Sequence, residues 1–206
     1  MSVAVIDYGM GNLHSVRNAL SIIGADVEIV DTPEQLLAAE RIVLPGVGAF
    51  SECLANLQRT GLVESLAEVV LRKGRPLLGI CLGMQVLADV GEEMGEHAGL
   101  GWIPGRIRRL AVDADLRVPH VGWNEVEVVG RTHPVLGAIK PSSTFYFVHS
   151  YVFEPEVDEH TAARCRYGAP FTCAVARDNI VATQFHPEKS QQNGLALLER
   201  FLDWKP

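Results

Sequence analysis

The chain has 206 residues, 48% hydrophobic and 21% charged, with a formal net charge of −7. That length suits one ample core, and the composition is that of an ordinary globular protein. The acidic balance and the lack of a Lys/Arg block argue against a broad nucleic-acid or anionic-membrane surface, and no uninterrupted apolar run is long enough to cross a bilayer.

The N-terminal "MSVAVIDYGM" carries no basic segment and no small-residue cleavage site, so no secretory signal is expected and the chain reads as cytoplasmic. "SVAVID" is apolar and β-branched and predicts a strand that breaks at "YGMGN". Asn12 then caps a helix that Gly24 stops. "DVEIV" predicts a second strand. Thr32-Pro33 supplies a cap and a proline at the first helical position for "EQLLAA". "RIVLP" is a third strand, halted by "GVGAF", and helical patterning covers much of Ser51 to Lys73 with a break near Gly61. "PLLGI" is the fourth strand, and "MQVLADV" the helix after it. Apolar strands alternating with amphipathic helices predict a mostly parallel sheet covered on both faces, with ligands at the C-terminal strand ends. "YGMGN", "PGVGAF" and "CLGM" all fall at such ends.

The second half changes character. "RIRRLAV", "NEVEVV", "STFYFVHSYVF", "AARCRY", "FTCAVARD" and "NIVATQF" read as short strands parted by turn residues. They predict antiparallel additions that extend or flank the first sheet. "NGLALLERFLDW" closes the chain as an amphipathic helix. No repeat, linker or second boundary is visible, so residues 1–206 read as a single domain.

Cys53, Cys81, Cys165 and Cys173 have no C-x-x-C spacing, and the simplest reading is a reduced protein whose cysteines fill the core. Cys81 departs from that reading. Gly79-Ile80-Cys81-Leu82-Gly83 has the spacing of a nucleophile elbow with sulfur in place of oxygen. Flanking glycines remove the side chains that collide in so sharp a reversal. The following helix N-terminus favours thiolate, and the Leu82 N–H can meet a developing oxyanion. The pentapeptide alone is balanced against a buried cysteine in a turn. "ATQFHPEKS" shifts the balance, since in an extended segment His186 and Glu188 point the same way and Pro187 keeps it extended. A nucleophile, a base and an orienting carboxylate are then all present.

"GICLGMQ" with "FHPE" resembles the class I, triad-type glutamine amidotransferases. "VIDYGMGNLHSVRNAL", "LPGVGAF", "HVGWN", "FYFVHSY" and "ATQFHPEKS" narrow the resemblance to their branch in imidazole glycerol phosphate synthase, from histidine biosynthesis. The resemblance implies a three-layer, doubly wound α/β fold and a glutaminase; no cofactor is expected, and no pair among the seven histidines and four cysteines has metal-ligand spacing. It implies Cys81, His186 and Glu188 as catalytic triad, and an oxyanion hole from Val47 and Leu82. Gly48, Gln85, Ser150 and Tyr151 would hold glutamine. It also implies a (βα)8-barrel cyclase as heterodimer partner, with Asn12 and Lys189 near the interface. Asn12 is equally a helix cap, and Lys189 equally a solvated lysine.

Three rivals remain at this stage. The triad does not separate the amidotransferases of other pathways, although "DYGMGN" favours the histidine branch. A cysteine peptidase or γ-glutamyl hydrolase could use the same groups. A dinucleotide site needs a glycine where His14 stands, so Gly9-Met10-Gly11 is weak evidence for one. His120 and His149 look buried, with no chemistry assigned.

Overall fold

The computed structural model describes residues 2–130 and 133–206. The parallel half begins with β1 (Ser2–Ile6), α1 (Leu13–Ile22), β2 (Asp26–Val30), α2 (Pro33–Ala38) and β3 (Ile42–Gly46). Next come α3 (Phe50–Arg59), α4 (Leu62–Ala67) with a π-helical turn over Glu68–Arg72, β4 (Leu77–Cys81) and α5 (Leu82–Gln85). These elements follow the expected alternation, and the caps form as the sequence suggests. Asn12 accepts from the Ser15 N–H and Thr32 from the Gln35 N–H. Gly61, at a φ of +69°, parts α3 from α4.

The second half supplies β5 (Val90–Gly91), β6 (His97–Ala98), β7 (Gly105–Arg109), β8 (His120–Glu125) and β9 (Glu127–Val128). After them come β10 (Thr144–His149), β11 (Tyr151–Pro155), β12 (Thr161–Tyr167), β13 (Ala169–Arg177), β14 (Ile180–Thr183) and α6 (Gln191–Asp203).

Among the described residues, twelve strands form one sheet, with the main path β2-β1-β3-β4-β14-β13-β11-β7-β5-β6. From β2 to β14 every pairing is parallel. Beyond β14 the pairings of β13, β11 and β7 are antiparallel, and β12 and β9 branch from β13. β8 and β10 form a separate antiparallel ribbon that flanks the main sheet. The sheet is mixed α/β, parallel at its centre with antiparallel additions.

Alternate residues of the central strands enter opposite cores. Val3, Val5, Leu78 and Ile80 pack with Leu20 of α1 and Leu197 and Phe201 of α6. Ala4, Ile6, Leu44 and Leu77 pack with Phe50, Leu57 and Leu66 of α3 and α4. That period of two, buried on both faces, is why these strands read as near-continuous apolar runs.

Two expectations need correction. The helix expected over "MQVLADV" is one turn, ending at Gln85. The carbonyls a longer helix would use are taken by a later loop. Leu100 N–H donates to Val86 O at 2.8 Å, and Trp102 and Ile103 donate to Leu87 O at 2.9 and 3.0 Å. "STFYFVHSYVF" is likewise two strands in different sheets, broken at Ser150.

Candidate functional site

Cys81 is the last residue of β4, with φ of 55° and ψ of −109°. A side chain rarely adopts such a backbone, which costs about 1–3 kcal/mol and persists only where neighbours enforce it. The neighbours are visible. A Cβ on Gly83 would lie 1.8 Å from Leu44 O, and one on Gly79 would lie 2.8 Å from Gly83 O. The chain therefore turns back hard against β3 and itself, and only glycines fit. The sulfur is thrust out of the sheet into a cavity of about 390 Å3.

Opposite stands His186. Its Nδ1 lies 2.7 Å from Glu188 Oε1, while its Nε2 is buried and without a partner among the described residues. The carboxylate fixes the proton on Nδ1 and turns Nε2 toward the cavity. The expected extended geometry does not hold through Glu188. Only His186 is extended, and Pro187–Lys189 form a turn of 3-10 helix. That turn brings Glu188 back under the ring. Burial lowers the His186 pKa, but the nearby Cys81 sulfur and the Glu188 carboxylate on Nδ1 outweigh it and raise it to about 9. That rise favours the protonated ring.

The same cavity is lined by Val47, Gly48, Leu82, Gln85, Ser150 and Tyr151. All of the expected triad, oxyanion and substrate positions therefore border one cavity, except Glu188, which stands behind His186. As the first residue of a helix, Leu82 has no intrahelical acceptor for its N–H. Gly48 has a φ of +103°, and a Cβ there would meet Met10 Cε at 2.6 Å. A larger hollow, about 1010 Å3, spreads over Glu125–Val129 and Arg164–Arg166 and contains none of the triad.

The helix-dipole argument for Cys81 needs correction too, because α5 is a single turn. The donor that reaches sulfur is instead Gln184, whose Nε2 lies 3.6 Å from Sγ. Gln85 is committed differently from expectation. Its Nε2 donates to Tyr151 O at 3.1 Å and to Gln184 Oε1 at 2.9 Å, leaving its oxygen for a ligand.

A model of the family "Glutamine amidotransferase class-I" matches residues 4–204. Imidazole glycerol phosphate synthase subunit HisH of Rhodospirillum rubrum is 48% identical over the whole of both chains. The protein of the same name from Zymomonas mobilis is 50% identical, across all of this chain and 97% of that one. The PurLQS structure from Thermotoga maritima shares the fold at 18% identity, with a TM-score of 0.77 over 98% of this chain and 97% of that one.

The chain belongs to the HisH subunits of imidazole glycerol phosphate synthase, within the class-I glutamine amidotransferases.

Sequence reasoning missed several residues of this HisH cavity. Glu93 lines it, and its Oε2 accepts from the Phe50 N–H at 2.7 Å across 43 positions of chain. No local spacing advertises that contact. His149 also lines the cavity. Its Nδ1 lies 2.9 Å from Tyr151 O, and its Nε2 lies 3.0 Å from His120 Nδ1. Burial pushes both rings down to about 4, so the pair is neutral and acts by tautomer. Since Tyr151 O only accepts, His149 Nδ1 carries a proton and His120 Nδ1 must donate to His149 Nε2. His120 stacks between Phe147 and Tyr167, with centroids 4.9 and 4.1 Å away.

Among the described residues, no helix is long and apolar enough to cross a membrane.

Proposed function

We propose that this chain hydrolyses glutamine to glutamate and ammonia through Cys81, His186 and Glu188, and passes the ammonia to a cyclase subunit. The observation that carries this reading is the shared cavity. It holds a strained cysteine sulfur and an imidazole whose Nδ1 is bound by a carboxylate and whose Nε2 has no hydrogen-bond partner among the described residues.

The chemistry follows from those protonation states. The Cys81 sulfur attacks the side-chain amide carbon, and the carbonyl π pair moves to oxygen. The N–H groups of Leu82 and Val47 receive that oxyanion. One such donor is worth about 3 kcal/mol in the transition state. Imidazolium at His186 gives its Nε2 proton to the departing nitrogen, and ammonia leaves a thioester. His186, now neutral, takes a proton from water as water attacks the thioester. Collapse expels Cys81 and frees glutamate. Glu188 holds the ring in the one tautomer that serves both steps.

Gly48, Gln85, Ser150 and Tyr151 border the space for the rest of glutamine, and Glu93 is an acidic side chain lining it. Its carboxylate suits the α-ammonium group of an amino acid. We assign the partner as a (βα)8-barrel cyclase seated beside the cavity. Val121 and Trp123 on β8 are 56% and 47% exposed, and Trp123 packs edge-on to Tyr146 at 6.1 Å. Lys189 holds its ammonium 5.8 Å above the same Tyr146 ring. Asn12 is exposed at the start of α1. Apolar surface with a cation at its rim suits a protein contact.

The test uses the chain in complex with its cyclase. Cys81→Ala should abolish glutamine-driven synthesis by the complex and leave synthesis driven by ammonium salt intact. Retention of glutamine-driven turnover would refute the assignment.

A further inference from the structure

We propose that Gln184 is a catalytic residue of this glutaminase, holding the Cys81 sulfur in its anionic form; this rests on the reading of the site given above. Gln184 follows β14 immediately and is 0% exposed. Its backbone N–H is spent on Cys173 O at 2.8 Å. Its side chain is a primary amide in the middle of the fold, and burying an amide without partners costs a few kcal/mol. Its partners decide which way it faces.

The orientation is dictated from the far end. Tyr151 O can only accept, so Gln85 must present its NH2 there. The same NH2 reaches Gln184 Oε1 at 2.9 Å, so the oxygen of Gln184 must face Gln85. The NH2 of Gln184 is then aimed at Sγ, 3.6 Å away. Turning the Gln184 amide over would set NH2 against NH2. Tyr151 O is itself pinned by His149 Nδ1–H, which His120 supports in turn, and Asn124 Nδ2 lies 3.4 Å from His120 Nε2. A one-way run of donors therefore ends on sulfur.

A neutral thiol sulfur is a weak acceptor, whereas a thiolate is a strong one. Val148 O, 3.9 Å from Sγ, offers an acceptor to an S–H. Once the proton has gone, that carbonyl presents only lone pairs to the sulfur. Gln184 supplies the compensating donor, and His186 supplies charge from the cavity side. Neither role requires Gln184 to touch glutamine.

The experiment measures the rate of iodoacetamide alkylation of Cys81 across pH in the full chain, with peptide mass spectrometry to assign the site. Burial pushes Cys53 and Cys165 up to about 12 and raises Cys173 well above its ordinary value, so these thiols react little near neutrality. Gln184→Met removes the donor at similar volume. It should move the alkylation midpoint up by about one pH unit, the worth of a hydrogen bond to a charged group. In complex with the cyclase it should lower kcat about tenfold with little change in the KM for glutamine. An unchanged midpoint in a folded Gln184→Met protein overturns the proposal. Gln184→Glu keeps the length and still accepts from Gln85, but turns an oxygen toward sulfur. Its midpoint should rise further than that of the Met variant, and no rise would overturn the proposal even if the Met variant failed to fold. If the wild-type complex did not consume glutamine, the reading of the site would fail, while the alkylation profiles would still report on Gln184.

Discussion

The two walls of the cavity are held by different physics. On the Cys81 wall the backbone does the positioning. Gly83 is pressed on Leu44 O, Gly79 on Gly83 O, and Cys81 is forced to positive φ. On the His186 wall, polar contacts do it. The His186 N–H donates to Tyr146 O at 2.9 Å, Ser190 Oγ donates to His186 O at 2.6 Å, and Tyr146 N–H donates to Ser190 Oγ at 3.0 Å. Glu188 holds the ring, and Thr183 Oγ1 donates to Phe185 O at 3.0 Å. Sterics fix the nucleophile with almost no tolerance, since close-packed backbone has nowhere to go. Hydrogen bonds fix the base in increments of about 1 kcal/mol each. Damage to the first wall should be abrupt, and damage to the second graded.

The largest effect is expected at Gly83. Gly83→Ala places a methyl group 1.8 Å from a main-chain oxygen of a central strand. Neither backbone is a flexible side chain that could swing away. The cost should be on the order of 4 kcal/mol or more, the range reserved for overpacking that the core does not absorb. Urea unfolding reads it directly. A variant with a midpoint near that of wild type would show that the elbow is less tightly set than the contact implies.

That contrast also explains what was legible in the sequence. The elbow is local. Two glycines around a cysteine at the end of an apolar run state their own geometry, and so do Asn12 and Thr32 as caps. The parallel half was legible because its periodicities are the signal. The polar wall is assembled from afar. Gln184 meets Gln85 across 99 positions and Cys81 across 103, and His120 meets His149 across 29. No spacing rule pairs such residues. The length of α5 was misread for the same reason, because residues 100–103 take the carbonyls of Val86, Leu87 and Ala88, which its extension would need, through contacts visible only in the fold. His186 and Glu188 were paired correctly but through the wrong local structure, since an i, i+2 pair can meet by a turn as well as by a strand.

The second-largest effect is a stability optimum with two limbs of separate origin. Burial holds His120, His133 and His149 down to about 4, against 6.5 in the unfolded chain. A depressed histidine contributes stability that is present above about 6.5 and is lost as pH falls toward 4, because the unfolded chain takes up protons the fold refuses. Each such group steepens the loss by up to about 1.4 kcal/mol per pH unit. His186 has the opposite sign. Raised from 6.5 to about 9, it contributes stability that is fully present below about 6.5 and is lost as pH rises through 9. Thermal midpoints across this range should fall on both sides of neutrality. Cys81→Ala removes the leading cause of the His186 rise, so its alkaline limb should be shallower while its acid limb is unchanged. Equal alkaline slopes in the two proteins would separate His186 from the sulfur.

The smallest effect is the most direct measure of strain in the first wall. Cys81→Ala and Cys81→Gly both delete the thiol, so both lose its contacts with Gln184 and His186. They differ in a single methyl group and in backbone freedom. At an ordinary position alanine would be the more stable, because glycine gains about 0.5–1 kcal/mol of chain entropy on unfolding. At a φ of 55° and ψ of −109° alanine carries the strain that cysteine carried, about 1–3 kcal/mol, and glycine does not. The strain exceeds the entropy term, so Cys81→Gly should be the more stable of the two by about 1 kcal/mol. Chemical denaturation of the pair at one pH reads the difference. If alanine came out ahead, the turn would not be holding the cysteine under load, and the steric account of the nucleophile wall would fail where it is most exposed.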